Sequence, residues 1–226
     1  MNTIQAQTVQ ILAHLEPFDR LDAAALGRLA HGVRSLRASR GEILMHRGAE
    51  PGGMYLVLEG EIKLFLISSA GAEKVVRLAG PGDTFCEENI FSDSCTSLAA
   101  QATRNGTVLH IQRGALQAAM SAQPAFAMAL MARLSERMRE LVDGMEQCTQ
   151  RSSTQRVAHY LVQHAGSDDG EVHLPCDKQT IASQLNLTPE TFSRVLNRLR
   201  RDGFIIPRGR RAITLTNRLQ LERIAA

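Results

Sequence analysis

Residues 177–199 read DKQTIASQLNLTPETFSRVLNRL, and few folds accommodate that order. Asp177 opens a short helical stretch whose inner face is Ile181, Ala182 and Leu185. Asn186 suits a left-handed turn residue, because its short amide tolerates positive φ. Thr188 is a good N-cap, and Pro189 suits the first helical position. Beyond them Phe192, Val195, Leu196 and Leu199 fall at i, i+3, i+4 and i+7, on one apolar face. The pattern predicts helix, short turn, helix.

The other face of the second helix carries Glu190, Ser193, Arg194, Asn197 and Arg198. A helix-turn-helix presents its reading residues on that N-terminal exposed face. Arg194 can fork onto O6 and N7 of guanine, and Glu190 can accept from the N4 amino group of cytosine. Ser193 is small enough to lie beside a thymine methyl. An acid is a poor neighbour for phosphate, so Glu190 reads either as a base contact or as a negative charge placed at a helix N-terminus. Downstream, GFIIPRGRRAITL predicts a hairpin, with Arg208, Arg210 and Arg211 near its tip. That is a wing placed for DNA phosphates.

Charge follows the same division. The chain has 226 residues and a net charge of +3. Residues 151–226 hold 12 Lys+Arg against 7 Asp+Glu, whereas residues 1–150 hold 14 against 16. The basic excess of the C-terminal third points to a polyanion.

The middle of the chain has another texture. From about Gly41 to Gln112, short alternating runs are punctuated by Gly and Pro, which predicts a small antiparallel sandwich or barrel. Residues 1–38 read as amphipathic helix, from Ile11, Leu12 and Leu15 and then Leu26, Leu29 and Val33. After Pro124, Ala127, Met131, Leu134, Met138, Leu141, Met145 and Cys148 step by 4 and 3. That seam wants a partner helix, and its strict period favours a second copy of the chain over the chain's own sandwich. Cys148 on the seam reads as a small buried residue or an interchain disulfide. Arg133 and Arg137 read as solvated or interhelical charges beside it. The resulting division is 1–122, a small β domain with N-terminal helices, which the resemblance named below makes a β-roll sensor domain; 123–150, a central dimerisation helix; and 151–226, a DNA-binding domain.

Four scattered cysteines, Cys86, Cys95, Cys148 and Cys176, with no CxxC, predict neither a disulfide framework nor a zinc site. No apolar run is long enough to predict a membrane span, and the N-terminus lacks a secretory pattern, so a cytoplasmic location is expected. His46 and His110 lack the clustered pattern of a cupin-like metal enzyme, and no nucleophile motif occurs, so no enzyme is expected.

Taken together, LPCDKQTIASQLNLTPETFSRVLNRL, and TPETFSR above all, resembles the CRP/FNR superfamily of bacterial transcription regulators, in particular its FNR and DNR branches. The resemblance implies an α+β chain. Its parts would be an N-terminal β-roll (a jelly roll like a cyclic-nucleotide-binding domain), a long dimerisation helix and a C-terminal winged helix-turn-helix. It implies a homodimer on double-stranded DNA, contacting RNA polymerase and no membrane. Glu190, Ser193 and Arg194 would read a TTGAT-type half-site, while Thr188, Asn197, Arg198, Arg208, Arg210 and Arg211 would hold the backbone. Pro189 stands where the CRP type has an arginine, which argues against a TGTGA-type half-site.

The effector is expected in the β-roll, around Cys86, Glu87, Thr96 and Ser97. No cysteine precedes Cys86, so no iron–sulfur cluster of the FNR kind can be built. Thr96 and Ser97 stand where the cAMP-binding type has Arg-Ser, so a cyclic phosphate would lack its counter-charge. The DNR-like resemblance implies haem-based sensing of nitric oxide, with His14, Cys86 and His46 as candidate axial ligands. The alternatives are oxidation of Cys86 or Cys95, or another small ligand.

Overall fold

The structure, a computed structural model, describes residues 3–68, 71, 73–92, 95–166, 170–209 and 211–225, with side chains for all of these except residues 3, 4 and 145–150. Arg210 therefore lies outside the described residues, as do the side chains of Met145 and Cys148. The chain forms two compact units, Met1–Arg139 and Glu140–Ala226.

The first unit begins with α1 (Thr3–Leu12), a 3-10 turn (Phe18–Arg20) and α2 (Ala23–Ala30). Asp22 caps α2 by accepting from the Ala25 amide at 2.7 Å. The strands are β1 (Val33–Ala38), β2 (Ile43–Met45), β3 (Gly53–Ile67), β4 (Glu73–Ala79), β5 (Thr84–Phe85) and β6 (Ala99–Gln112), with a 3-10 turn at Glu87–Ile90. Helix α3 (Arg113–Ala122) follows, and α4 (Pro124–Gln150) begins in this unit and ends in the second.

All strand pairs are antiparallel, in the order β1-β6-β3-β4, with β2 also on β6 and β5 also on β3. The long β3 and β6 form the spine. Their register slips around Glu59 and Glu61, and two glycines make the crossing possible there. A Cβ on Gly106 would stand 2.0 Å from the Glu59 carbonyl oxygen, and Gly60 has φ +86°.

Period-two alternation explains why β3 is apolar on both faces. Met54 and Leu56 pack with Leu109 and Ile111 against the helices, in a core that includes Leu12, Phe18, Leu26, Leu29, Leu116, Phe126 and Leu130. Tyr55, Val57, Ile62 and Leu64 face the roll interior with Phe85, Cys86, Ala102 and Val108.

One expectation needs correction. Residues 33–38 are strand β1, not helix. Gly32 ends α2 where a Cβ would strike the Ala115 side chain at 2.5 Å, and its carbonyl accepts from the Gln112 amide. Val33 then pairs opposite Ile111. Sheet pairing overrides the helical spacing that Val33 shares with Leu26 and Leu29. In addition, a separate helix, α3, precedes the central one.

In the second unit, α5 (Ser153–Gln163) starts in a capping box between Ser152 and Gln155. It is followed by β7 (Glu171–His173), α6 (Lys178–Gln184), α7 (Pro189–Arg201), β8 (Ile205–Arg208), β9 (Ala212–Leu215) and α8 (Arg218–Ala225). The small sheet has the order β7-β9-β8.

Candidate DNA-reading surface and effector cluster

The two helices of the expected motif are α6 and α7, and their ends are built as the residue types dictate. The Asp177 side chain accepts from the Thr180 amide at 2.8 Å. Asn186 has φ 56°, and the Leu187 amide reaches back to the Ala182 carbonyl at 2.9 Å. Thr188 caps α7 by accepting from the Thr191 amide at 3.2 Å, with Pro189 behind it. Phe192, Val195, Leu196 and Leu199 are buried, while Glu190, Ser193, Arg194, Asn197 and Arg198 are exposed on one helix.

The electrostatics of that face are ordered. The Glu190 carboxyl sits below the usual carboxylate range, held there by its own backbone amide, then the Thr188 hydroxyl and the nearby Arg194. It is therefore an ionised acceptor at neutral pH. Arg194 Nη2 donates to Thr191 Oγ1 at 3.1 Å, so Thr191 braces the guanidinium. The Thr188 hydroxyl is engaged in capping and in a 3.1 Å bond to Thr191 Oγ1, so the residue expected on the backbone works first as the helix start.

The wing pairs Ile205↔Leu215 through Arg208↔Ala212, and Gly209 at its tip has φ 76°. Arg208 and Arg211 are exposed there. Between α7 and the wing lies a cleft of about 180 Å³, lined by Ser193, Asn197, Pro207 and Gly209 among others, with Lys178 from the start of α6. Lys178 is a cation that the sequence patterns did not single out. Its signal is a lysine immediately after the Asp177 cap.

In the β-roll, three of the four expected effector residues are buried and one is not. Cys86 is 6% exposed, Glu87 8% and Thr96 3%, whereas Ser97 is exposed. Cys86 takes a left-handed φ of 65° before the 3-10 turn. Its Sγ lies 3.7 Å from Met45 Sδ. Burial, followed by the charges of Glu88 and Glu87, pushes the thiol far above its ordinary pKa, while Thr96 and Arg77 act against this. Glu87 is already partnered, accepting from Thr84 Oγ1 at 2.6 Å. Thr96 Oγ1 donates to the Leu98 carbonyl at 3.1 Å. Arg77, which no sequence motif marks, donates to the Thr84 carbonyl at 2.6 Å and brings a cation to this cluster.

His14 and His46 are exposed, after α1 and β2 respectively. Among the described residues, no group of three or more His, Cys, Asp or Glu is placed to hold a metal.

Helix α4 is two-sided. Phe126 and Leu130 are fully buried in the first unit's core. Arg133 and Arg137 reach Asp83 at 3.9 and 3.6 Å, and Arg133 Nη1 donates to the Glu16 carbonyl at 3.0 Å. The two arginines expected to be solvated or interhelical thus face their own β-roll. Met128, Met131, Met138, Leu141 and Val142 are exposed at 46–64%. Leu134 is half-buried. The exposed stripe is therefore rotated slightly from the predicted seam, because Phe126 and Leu130 claim the adjacent face.

Comparison with known proteins settles the family. Residues 155–224 match the Crp-like helix-turn-helix domain, and residues 35–123 match the cyclic nucleotide-binding domain. The nitrogen fixation regulation protein FixK of Bradyrhizobium diazoefficiens is 31% identical over 218 residues, covering 91% of this chain and 88% of that one. The chain belongs to the CRP/FNR family of transcription regulators. The transcriptional activator protein anr of Pseudomonas aeruginosa is 25% identical over 195 residues, or 84% of this chain and 79% of that protein. The solved structure of FixK2 from Bradyrhizobium japonicum superposes with a TM-score of 0.77 at 25% identity, covering 86% of this chain and 98% of the other. As a CRP/FNR regulator the protein binds DNA through its helix-turn-helix. Among the described residues, no helix is long and apolar enough to cross a membrane.

Proposed function

We propose that this CRP/FNR regulator acts as a homodimer that reads a TTGAT-like palindrome and is switched by a small effector in its β-roll. The observation that carries the reading is the exposed face of α7, where an ionised Glu190 acceptor and a Thr191-braced Arg194 fork stand beside the small Ser193. Arg194 takes a guanine, Glu190 the N4 amino group of cytosine, and Ser193 leaves room for a thymine methyl. Asn197 and Arg198, with Arg208 and Arg211 on the wing, hold phosphates. RNA polymerase is the further partner implied by the family resemblance.

The second copy docks on the exposed apolar stripe of α4. Five large apolar side chains on one helix are poorly placed in water, and a two-fold partner presenting the same stripe buries them. Effector binding then shifts the helix pair and respaces the two α7 helices, about one DNA turn apart on the palindrome.

For the effector, haem-based nitric oxide sensing of the DNR kind is the reading inherited from the resemblance. The candidate ligands do not fit it as they stand. His14 and His46 are exposed on different elements, and Cys86 is a buried, protonated thiol against Met45. The thiol alternative narrows to Cys95, which is exposed, because a buried thiol with a raised pKa is a poor nucleophile.

An absorption spectrum separates the two readings. A stoichiometric Soret band on adding haemin that responds to nitric oxide supports haem. Its absence, together with DNA binding that changes on oxidation in the wild type and no longer does so in Cys95→Ser, supports the thiol. DNA reading is tested by anisotropy on a TTGAT palindrome. Binding no tighter than to a scrambled duplex refutes it.

A further inference from the structure

The turn that joins α6 to α7 is secured from outside the motif. Within it, backbone bonds satisfy the amides: Asn186 donates to the Ser183 carbonyl at 3.2 Å, and Leu187 to the Ala182 carbonyl at 2.9 Å. The carbonyls of Leu185 and Asn186 are taken by a single side chain, Arg156 on α5. Its Nη1 donates to the Leu185 oxygen at 2.8 Å and to the Asn186 oxygen at 3.1 Å. The guanidinium sits at the C-terminal end of α6, where the helix presents partial negative charge. The arrangement leaves the buried Nε of Arg156 without a hydrogen-bond partner, a penalty that the two charged bonds offset.

We infer that Arg156 is a positioning residue for DNA reading: it clamps the left-handed turn and so fixes the angle at which α7 leaves α6. Thr188, which starts α7, is two residues beyond the clamped Asn186 carbonyl, and Glu190 follows two residues later. Base contacts tolerate displacements of only about 0.5 Å and 10–20°. A turn loosened at Leu185 and Asn186 moves Glu190, Ser193 and Arg194 together, since they ride on one rigid helix. Arg156 stays on α5, so it influences recognition without touching a base.

This inference rests on the proposed role of the α7 face, and two measurements on the full chain keep the claims separable. The first is hydrogen exchange of the free protein. Arg156→Ala is expected to speed exchange selectively across 185–191 while β3 and β6 stay protected, and Arg156→Lys to restore most of the protection. The second is the affinity ratio between a TTGAT palindrome and a scrambled duplex of equal length. Loss of a charged pair of hydrogen bonds predicts a fall of about tenfold in that ratio for Arg156→Ala and a partial recovery in Arg156→Lys. Simple destabilisation lowers the active fraction on both duplexes alike and leaves the ratio unchanged. Unchanged exchange at 185–191, or an unchanged ratio where the wild type discriminates, overturns the clamp. A wild type that does not discriminate refutes the base-reading proposal instead, and the exchange result alone then decides for or against Arg156.

Discussion

At the scale of single residues, the proposed roles divide between reading, bracing and being kept inert. Arg194→Ala removes a fork that can meet both guanine acceptors. It should weaken binding to the specific site by about 1–3 kcal/mol and relax discrimination at one base pair. Titrating against duplexes varied at each position checks this. Glu190 is ionised below the usual carboxylate range, so its acceptor character is present throughout the neutral range. A carboxyl depressed in the folded state contributes stability above its ordinary pKa and loses it as pH falls through the lowered value. Cys86 and Cys176 are buried and Cys95 is exposed. Ellman's reagent should therefore label Cys95 in the folded protein and reach Cys86 and Cys176 only on denaturation. Rapid labelling of Cys86 would contradict its placement. The cap of α7 and its buried and exposed faces were legible because capping and periodicity are local. Arg156 was not, because its partners at Leu185 and Asn186 lie about thirty residues away, and no short pattern encodes such a bond.

At the scale of elements, α4 shows why periodicity gave only part of the answer. A heptad predicts one seam, but Phe126 and Leu130 add a second apolar face that packs into the first unit's core. The exposed stripe lies beside it. Phe126→Ala should destabilise the chain by about 3–5 kcal/mol, read by chemical denaturation, since a full aromatic leaves the core. Met131→Glu with Met138→Glu should leave the fold intact and convert a dimer to a monomer in sedimentation velocity. A dimer that persists would place the interface elsewhere. The same competition between signals explains β1. Val33 keeps helical spacing with Leu26 and Leu29, yet strand pairing with β6 wins once Gly32 has ended α2.

For the whole molecule, charge and fold are apportioned to different tasks. The basic excess lies in the C-terminal third, and the β-roll contributes the buried cluster of Cys86, Glu87 and Thr96, with Arg77 beside it. Roll, central helix and winged motif were readable from glycine punctuation, heptad steps and the TPETFSR segment. The effector was not, because a ligand site depends on which inward side chains converge after the sheet closes. Ser97 turns outward and Arg77 enters from β4, neither of which follows from adjacency in sequence. Arg208→Ala or Arg211→Ala should weaken specific and scrambled duplexes alike and reduce the slope of log K against log salt by about 1 for each phosphate that is no longer neutralised. The central claim is that α7 reads bases while the wing holds phosphates. It is tested most directly by measuring the salt dependence and the palindrome-to-scrambled affinity ratio of Arg194→Ala beside the wild type. A collapsed ratio with a nearly unchanged affinity for scrambled DNA is the predicted result. A uniform loss on both duplexes, with a smaller salt slope, would make Arg194 a phosphate ligand and contradict the account.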